Sequence, residues 1–356
     1  MMDDALKSLR ARIDTIDDAI LKLVSERAGI AQQVGRAKKG EKIYRPEREA
    51  QIVRRLRETN PGPLDGDTVE RLIREVMSAC RALEQNIRVA YLGPAGTFSQ
   101  AAAYKHFGHA VEAVAEADID ACFRAVETGR ADFAVVPVEN STEGAISRTL
   151  DLIVASPLRI CGEIMLPIHQ NLMRKSADLE GIDRVYGHAQ SLAQCQNWLN
   201  RHLPRAERVS VVSNSEGARR AAAEPAAATL GSDAAAELYG LAVVEARIED
   251  EAGNTTRFLV LALTDAAPSG RDKTSLVVGV HNQPGAIVKL LQPLADAGVS
   301  MSKLESRPAR SANWEYLFFV VCEGHRQDAK LAATLAEIES RAAFLKILGS
   351  YPAAQS

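Results

Sequence analysis

The sequence predicts a multidomain chain in three parts: an all-α bundle, an α/β unit and a small α+β domain of ferredoxin-like type. Three observations predict it. Apolar residues recur at alternating spacings of three and four from Leu6 to Val34. From Ile87 the pattern changes to short β-rich runs alternating with helical stretches, and after Asp272 it runs strand, helix, strand, strand, helix, strand. At 356 residues the chain exceeds one ordinary core, and about 150 residues per domain gives two or three.

Composition narrows the function classes. With 46% hydrophobic and 25% charged residues the chain is neither disordered nor fibrous, and a net charge of −3 carries no nucleic-acid signature. No run of about 18 apolar residues offers a membrane span. The acidic start Met1-Met2-Asp3-Asp4 lacks the basic-then-apolar order of a signal peptide, so a cytoplasmic location is expected. The five cysteines (Cys80, Cys122, Cys161, Cys195, Cys322) are scattered without ligand spacing, which predicts reduced, mostly buried thiols and neither a disulfide framework nor a metal site.

The first apolar stripe (Leu6, Leu9, Ile13, Ile16, Ile20, Leu23, Ile30, Val34) is a heptad seam on a helix of about 35 residues, on the order of 50 Å long. A small lone domain cannot cover it, so an interlocked second copy is expected. Pro46 fits the first turn of a second helix, Asn60-Pro61-Gly62-Pro63 a loop, and Asp67-Thr68-Val69-Glu70 a capping-box-like start to a third helix running towards Gln85. Strands are expected at residues 89–92, 133–136, 185–186, 209–212 and 258–263, in a largely parallel sheet, followed by a linker at 265–270. The terminal domain reads strand 275–281, helix 286–297, strand 299–305, strand 316–322, helix 328–341 and strand 344–350.

Two constellations carry chemistry. In the bundle, Arg27 falls on the apolar seam, Arg10 flanks it, Lys38 lies one turn beyond Val34, Arg48 and Glu49 sit on the second helix, and Glu84 shares the Val76–Cys80–Glu84 face of the third. Charges buried in a bundle need partners or an oppositely charged ligand, although polar seam residues also merely fix helix register. In the α/β unit, Thr97, Ser99, Asn140, Ser141, Thr142, Ser213, Asn214 and Ser215 stand near strand-to-helix junctions, where several helix N-termini can surround a small carboxylate. Singly, each is equally an ordinary N-cap. Gly93 and Gly96 have neither dinucleotide-binding nor phosphate-loop spacing, which argues against a nucleotide.

Motifs in order suggest known families. Leu9-Arg10-Ala11-Arg12-Ile13, Glu26-Arg27, Gly35-Arg36-Ala37-Lys38 and Pro46-Glu47-Arg48-Glu49 resemble the all-helical chorismate mutases across nearly all of the first 86 residues. The resemblance implies that Arg10, from a partner subunit, and Arg27 hold the two carboxylates of chorismate. It implies Lys38 and Glu84 at the ether oxygen, Arg48 and Glu49 at the hydroxyl side, and Cys80 in the same binding set. No covalent group, metal or cofactor is implied; positioning and electrostatics would supply the rate. Two positions depart from the commoner pattern. Arg45 stands where many members carry aspartate, and Glu84 where glutamine is frequent. A carboxyl donates a hydrogen bond only when protonated, so mutase activity is expected to fall as pH rises through a raised Glu84 pKa.

Gly93 to Ser99, Pro137 to Gly144 and Thr256-Arg257-Phe258 resemble prephenate dehydratase over residues 88–263, with weaker support from His188-Ala189-Gln190 and Leu230-Gly231-Ser232. That family's fold implies an α/β unit of two lobes like a periplasmic binding protein, with prephenate between them. It implies Thr256 as the essential hydroxyl and Arg257 as a cation for a carboxylate. Glu139 competes for proton delivery, and Thr97, Ser99, Asn140, Ser141, Ser213 and Ser215 complete the expected prephenate set. Finally, Gln283-Pro284-Gly285-Ala286-Ile287-Val288 and Glu305-Ser306-Arg307-Pro308 resemble the effector motifs of ACT domains, with Ile287 replacing the usual leucine. This implies phenylalanine bound at an interface between paired domains by Gly285, Ala286, Ile287, Glu305, Ser306 and Arg307. The expected domains are 1–87, 88–265 and 273–351, in a homo-oligomer of at least two chains. An amino-acid-sensing regulator, or a helical segment that only dimerises, remains open on the residues alone.

Overall fold

The computed structural model describes residues 2–37, 44–281, 283–308 and 316–354. The helical unit comprises α1 (Met2–Ala37), α2 (Pro46–Glu58) and α3 (Gly66–Ala82). The seam on α1 is uncovered within one chain: Leu9, Ile13, Ile16 and Ile20 are 53–56% exposed. The third helix is capped by Asp65, which accepts from the Thr68 amide at 2.7 Å, two residues before the expected start. Glu70, expected in a capping box, instead pairs with Arg57 and Arg74.

The first α/β lobe contains β1 (Arg88–Leu92), α4 (Phe98–Phe107), β2 (Glu112–Glu116), α5 (Ile119–Glu127), β3 (Phe133–Asn140), β4 (Gly144–Ala145), α6 (Ser147–Ala155) and β5 (Arg159–Pro167). The second contains β6 (Asn171–Arg174), β7 (Arg184–Gly187), α7 (Ala189–Gln194), α8 (Gln196–His202), β8 (Glu207–Ser210), α9 (Asn214–Ala223), β9 (Ala227–Gly231), α10 (Asp233–Tyr239) and β10 (Ala242–Glu245). The chain then returns to the first sheet as β11 (Thr255–Ala262), giving orders β2-β1-β3-β11-β5 and β10-β6-β9-β7-β8.

Both sheets are mixed, a correction to the largely parallel expectation. Strand β1 is parallel to β2 and β3, whereas β11 is antiparallel to β3 and β5. Because β11 arrives directly from the second lobe, without a helical crossover, it enters at the ends where β3 and β5 finish and must run against them. The two crossings between lobes pair with each other through Ile168 N to Asn254 O and Ile248 N to Gln170 O, each 2.8 Å.

The terminal domain has β12 (Asp272–Val280), α11 (Ala286–Asp296), β13 (Met301–Pro308), β14 (Tyr316–Glu323), α12 (Ala329–Arg341) and β15 (Phe344–Pro352), with sheet order β13-β14-β12-β15. This is the ferredoxin-like order, with both helices on one core. Its other face is not solvent: Val277, Phe319, Leu348 and Tyr351 join one buried cluster with Val136, Leu259 and Leu261 of the first lobe. The expected linker is packed rather than loose. Ala266 and Ser269 are buried, Asp265 pairs with Arg326 at 2.6 Å, and Arg54 of α2 donates to Ser269 O at 3.2 Å.

Candidate active sites

A cleft of about 510 Å³ separates the two α/β lobes. Thr97, Ser99, Asn140, Ser213 and Thr256 from the expected set line it, together with His188, Asn214 and Ser232. The N-termini of α4 and α9 open onto it, so unpaired backbone N–H groups and helix dipoles make it attractive to anions. Gly96 closes one wall at φ +83; a β-carbon there would meet Ser215 Oγ at 3.1 Å and Ala235 Cα at 3.3 Å, and L side chains rarely adopt that backbone. Among the described residues lining the cleft there is no arginine or lysine.

Thr256 sits near the start of β11, opposite Asn140 at the end of β3. Asn140 Oδ1 accepts from Thr142 N at 3.0 Å and Thr142 Oγ1 at 2.6 Å, which fixes its amide so that Nδ2 donates to Thr256 Oγ1 and Asn254 Oδ1, both at 2.9 Å. The Thr256 hydroxyl therefore accepts inside the protein, and its own proton has no acceptor among the described residues. That is the geometry of a donor aimed outward. Asn254 was not among the expected site residues. Its only sequence signal was its place two residues before the Thr256-Arg257-Phe258 motif.

Four expected prephenate residues lie elsewhere. Arg257 cannot share the cleft with Thr256, since successive strand residues face opposite sides. It turns towards the terminal domain, 3.2 Å from Glu163 and 3.6 Å from Glu139. Glu139 also pairs with Lys303 at 2.6 Å, so it is an interdomain contact rather than a cleft acid. Ser215 is fully buried, its hydroxyl on Ala95 O and 3.2 Å from Tyr239 Oη, where it secures the Gly93–Gly96 loop. Ser141 holds the Thr255 amide at 3.0 Å.

In the helical unit, Gln32, Gly35 and Arg36 of α1 face Leu83 and Glu84 across a cleft of about 300 Å³. Gly35 permits the approach: a β-carbon there would stand 2.6 Å from Glu84 Oε2. Glu49 of α2 pairs with Arg81 of α3, a buried arginine absent from the expected set. Burial raises the Glu49 pKa while Arg81, Arg74 and, least, Arg27 oppose the rise. Cys80 is buried and Arg48 exposed. Arg45 precedes the first turn of α2, where its carbonyl accepts from Arg48 N at 3.1 Å and Glu49 N at 3.2 Å. Arg10 is exposed and lies 17 residues before Arg27, roughly 25 Å along the same helix. One chain cannot bring both to one small ligand. Lys38 lies outside the described residues.

On the terminal domain, Gly285 takes φ 75 as the residue before α11, beside a cleft of about 390 Å³ that Ala286 helps to line. Ile287 is half-buried against the domain core. On β13, Glu305 and Arg307 share one face with Lys303, and Arg307 pairs with Asp151 of the first lobe at 3.2 Å; Ser306 faces outward. Strand β13 is the edge of its sheet.

A helical bundle with charged groups along its seam, a two-lobed cleft rich in neutral donors and a ferredoxin-like sensor define a multidomain enzyme of small organic acids under effector control. Known proteins make the class specific. Family profiles match chorismate mutase type II at residues 9–85, prephenate dehydratase at 89–266 and the ACT domain at 274–340. The chain is 52% identical to a bifunctional chorismate mutase/prephenate dehydratase of Neisseria gonorrhoeae, covering 99% of this chain and 98% of that one. It is 34% identical to the Escherichia coli K12 protein of the same name, covering 98% and 97%. A prephenate dehydratase from Arthrobacter aurescens solved with L-Phe superposes with a TM-score of 0.69 at 33% identity, covering 75% of this chain and 90% of that one. The chain belongs to the bifunctional chorismate mutase/prephenate dehydratase family. It is an enzyme with both activities and an ACT domain.

Proposed function

We propose that residues 1–87 rearrange chorismate to prephenate, residues 88–265 convert prephenate to phenylpyruvate in the interlobe cleft, and residues 273–351 sense phenylalanine. The observation that carries the dehydratase assignment is the Asn140-to-Thr256 hydrogen bond, which leaves a polarised hydroxyl proton directed at the cleft. As the ring carboxylate departs as carbon dioxide, its bonding pair enters the ring and expels the hydroxyl at the far carbon. Thr256 donates to that oxygen as it gains charge, and it leaves as hydroxide, which takes a solvent proton. Among the described residues no lysine or arginine lines the cleft, which suits this reaction. A cation would stabilise the carboxylate of the ground state more than a transition state whose charge has moved away.

For the mutase, Arg27, Lys38, Arg48, Glu49, Cys80 and Glu84 of one chain act with the partner's Arg10. The exposed α1 seam and the length of that helix support an interlocked dimer, which completes the site and covers the apolar stripe. Phenylalanine binds at paired ACT domains through the Gly285–Ile287 turn and the Glu305–Arg307 strand. The open edge of β13 and exposed Met301, Leu304 and Val288 support side-by-side pairing. Among the described residues no helix is long and apolar enough to cross a membrane, and the enzyme acts in the cytoplasm. The deciding experiment supplies chorismate alone to purified protein and follows chorismate loss, prephenate and phenylpyruvate, with and without phenylalanine. Unchanged chorismate and prephenate would remove the reading.

A further inference from the structure

Arg81 is only 6% exposed, and the chemistry above gives it no task. A cation so deeply buried needs well-placed partners. Its guanidinium pairs with the Glu49 carboxylate of α2, donates to the Phe107 carbonyl at 2.6 Å and lies over the Tyr44 ring, 5.1 Å from its centroid. Phe107 is the last residue of α4, whose first turn reaches the dehydratase cleft. The fork that grips Glu49 is thus anchored outside the helical unit.

Among the described residues, Arg81 and Arg74 of α3, Arg27 of α1 and the Tyr44 phenol preceding α2 act on Glu49, and Arg54 of α2 with Cys161 and Glu163 of β5 line the same cavity. His106 of α4 accompanies them, 2.7 Å from Tyr44 Oη. Burial, then Arg74 and Arg81, hold the His106 pKa well below its usual range, and burial holds Tyr44 well above its own, so both are neutral near pH 7. Among the described residues the arginines supply the positive charge that compensates Glu49.

We propose that Arg81 is a positioning residue for the chorismate rearrangement, holding Glu49 ionised and in one orientation as acceptor for the substrate hydroxyl, with the Phe107 carbonyl of the dehydratase domain as its anchor. The inference rests on the assignment of Glu49 to the chorismate site. An ionised carboxylate only accepts hydrogen bonds, and it stays ionised in a buried site while a cation faces it. Removing Arg81 raises the Glu49 pKa further, so a higher pH is needed to ionise it. A lysine restores the charge but cannot span Glu49 and Phe107 with a planar fork.

The test uses the full-length enzyme and compares Arg81→Met, Arg81→Lys and Glu49→Gln, recording mutase and dehydratase rates against pH on the same preparations. Arg81→Met is expected to lower mutase kcat about tenfold or more and to move the acid limb of mutase kcat/KM to higher pH, with prephenate dehydration unchanged. Arg81→Lys returns the limb towards the parent position with partial recovery of rate. Glu49→Gln, which still accepts but does not titrate, loses the limb, and adding Arg81→Met to it moves nothing further. An Arg81→Met enzyme that melts earlier and loses both activities together, with its acid limb in place, shows a purely structural residue and overturns the proposal. Should that variant fail to fold, an Arg81→Lys profile identical to the parent overturns it as well. If Glu49→Gln alone leaves the mutase untouched, the assignment of Glu49 has failed instead.

Discussion

Replacing Asn140 by aspartate changes almost nothing in shape and reverses one hydrogen bond. In the parent, Nδ2 donates to Thr256 Oγ1 at 2.9 Å because Oδ1 is occupied by Thr142 N and Oγ1. A carboxylate oxygen in place of Nδ2 would accept instead, and the Thr256 proton would turn inward to meet it. The cleft then loses its donor to the departing hydroxyl and gains a negative charge near the carboxylate. Loss of one donor that stabilises developing charge costs about 3–4 kcal/mol, roughly 10²–10³ in kcat. The Asn254 partner can rotate its amide to donate to the new carboxylate, so the fold should survive. Phenylpyruvate formation from prephenate measures the loss, and chorismate consumption on the same sample is the control. Thr256→Ala should lose dehydration to a similar extent with mutase turnover intact, and the double variant should fall little below either single one, since both remove one donor. An Asn140→Asp enzyme that dehydrates prephenate within about threefold of the parent would refute the donor geometry.

Glu84 must be protonated to donate to the ether oxygen, so mutase activity should decline as pH rises and Glu84→Gln should flatten that decline; superimposable pH profiles would reject the role. Lys303→Met breaks the ion pair between β13 and Glu139, whose strand ends at Asn140. With both partners partly exposed, it should raise the phenylalanine concentration for half-inhibition by about fivefold while sparing turnover, and unchanged inhibition would discount this contact as a route of coupling. Charges on the α1 seam, as in Ile13→Glu with Ile20→Glu, should abolish mutase turnover and retain dehydration, because about 1.5–3 kcal/mol of burial per side chain is lost at each site. Mutase activity surviving in a monomer by sedimentation would exclude a shared site.

Much of the architecture was legible from periodicity. The seam from Leu6 to Val34 became a 36-residue helix, and all six elements of the terminal domain fell close to their expected places. These are local patterns, set by which residues must share a face. Missed were β2, β4, β5, β6, β9 and β10. Strands such as β9, buried along its whole length, carry no alternation to read. Asn254 escaped for a different reason: an asparagine in a loop acquires a role only through what folding brings to it.

The placement of Arg257 was partly readable, since strand geometry forbids it from facing the same way as Thr256. Sequence by itself determined that these neighbours point apart, that three hydrophobic patterns make three units, and that α1 needs a covering. The tertiary structure decided what lies on each side. It put the ACT sheet, with Lys273 and Lys303, against the face bearing Glu139, Arg257 and Glu163, and left the opposite face of β11 to the cleft and α4. Local sequence fixes the direction of a side chain relative to its own backbone, whereas its neighbours come from segments distant in the sequence, brought there by burial of one shared apolar core.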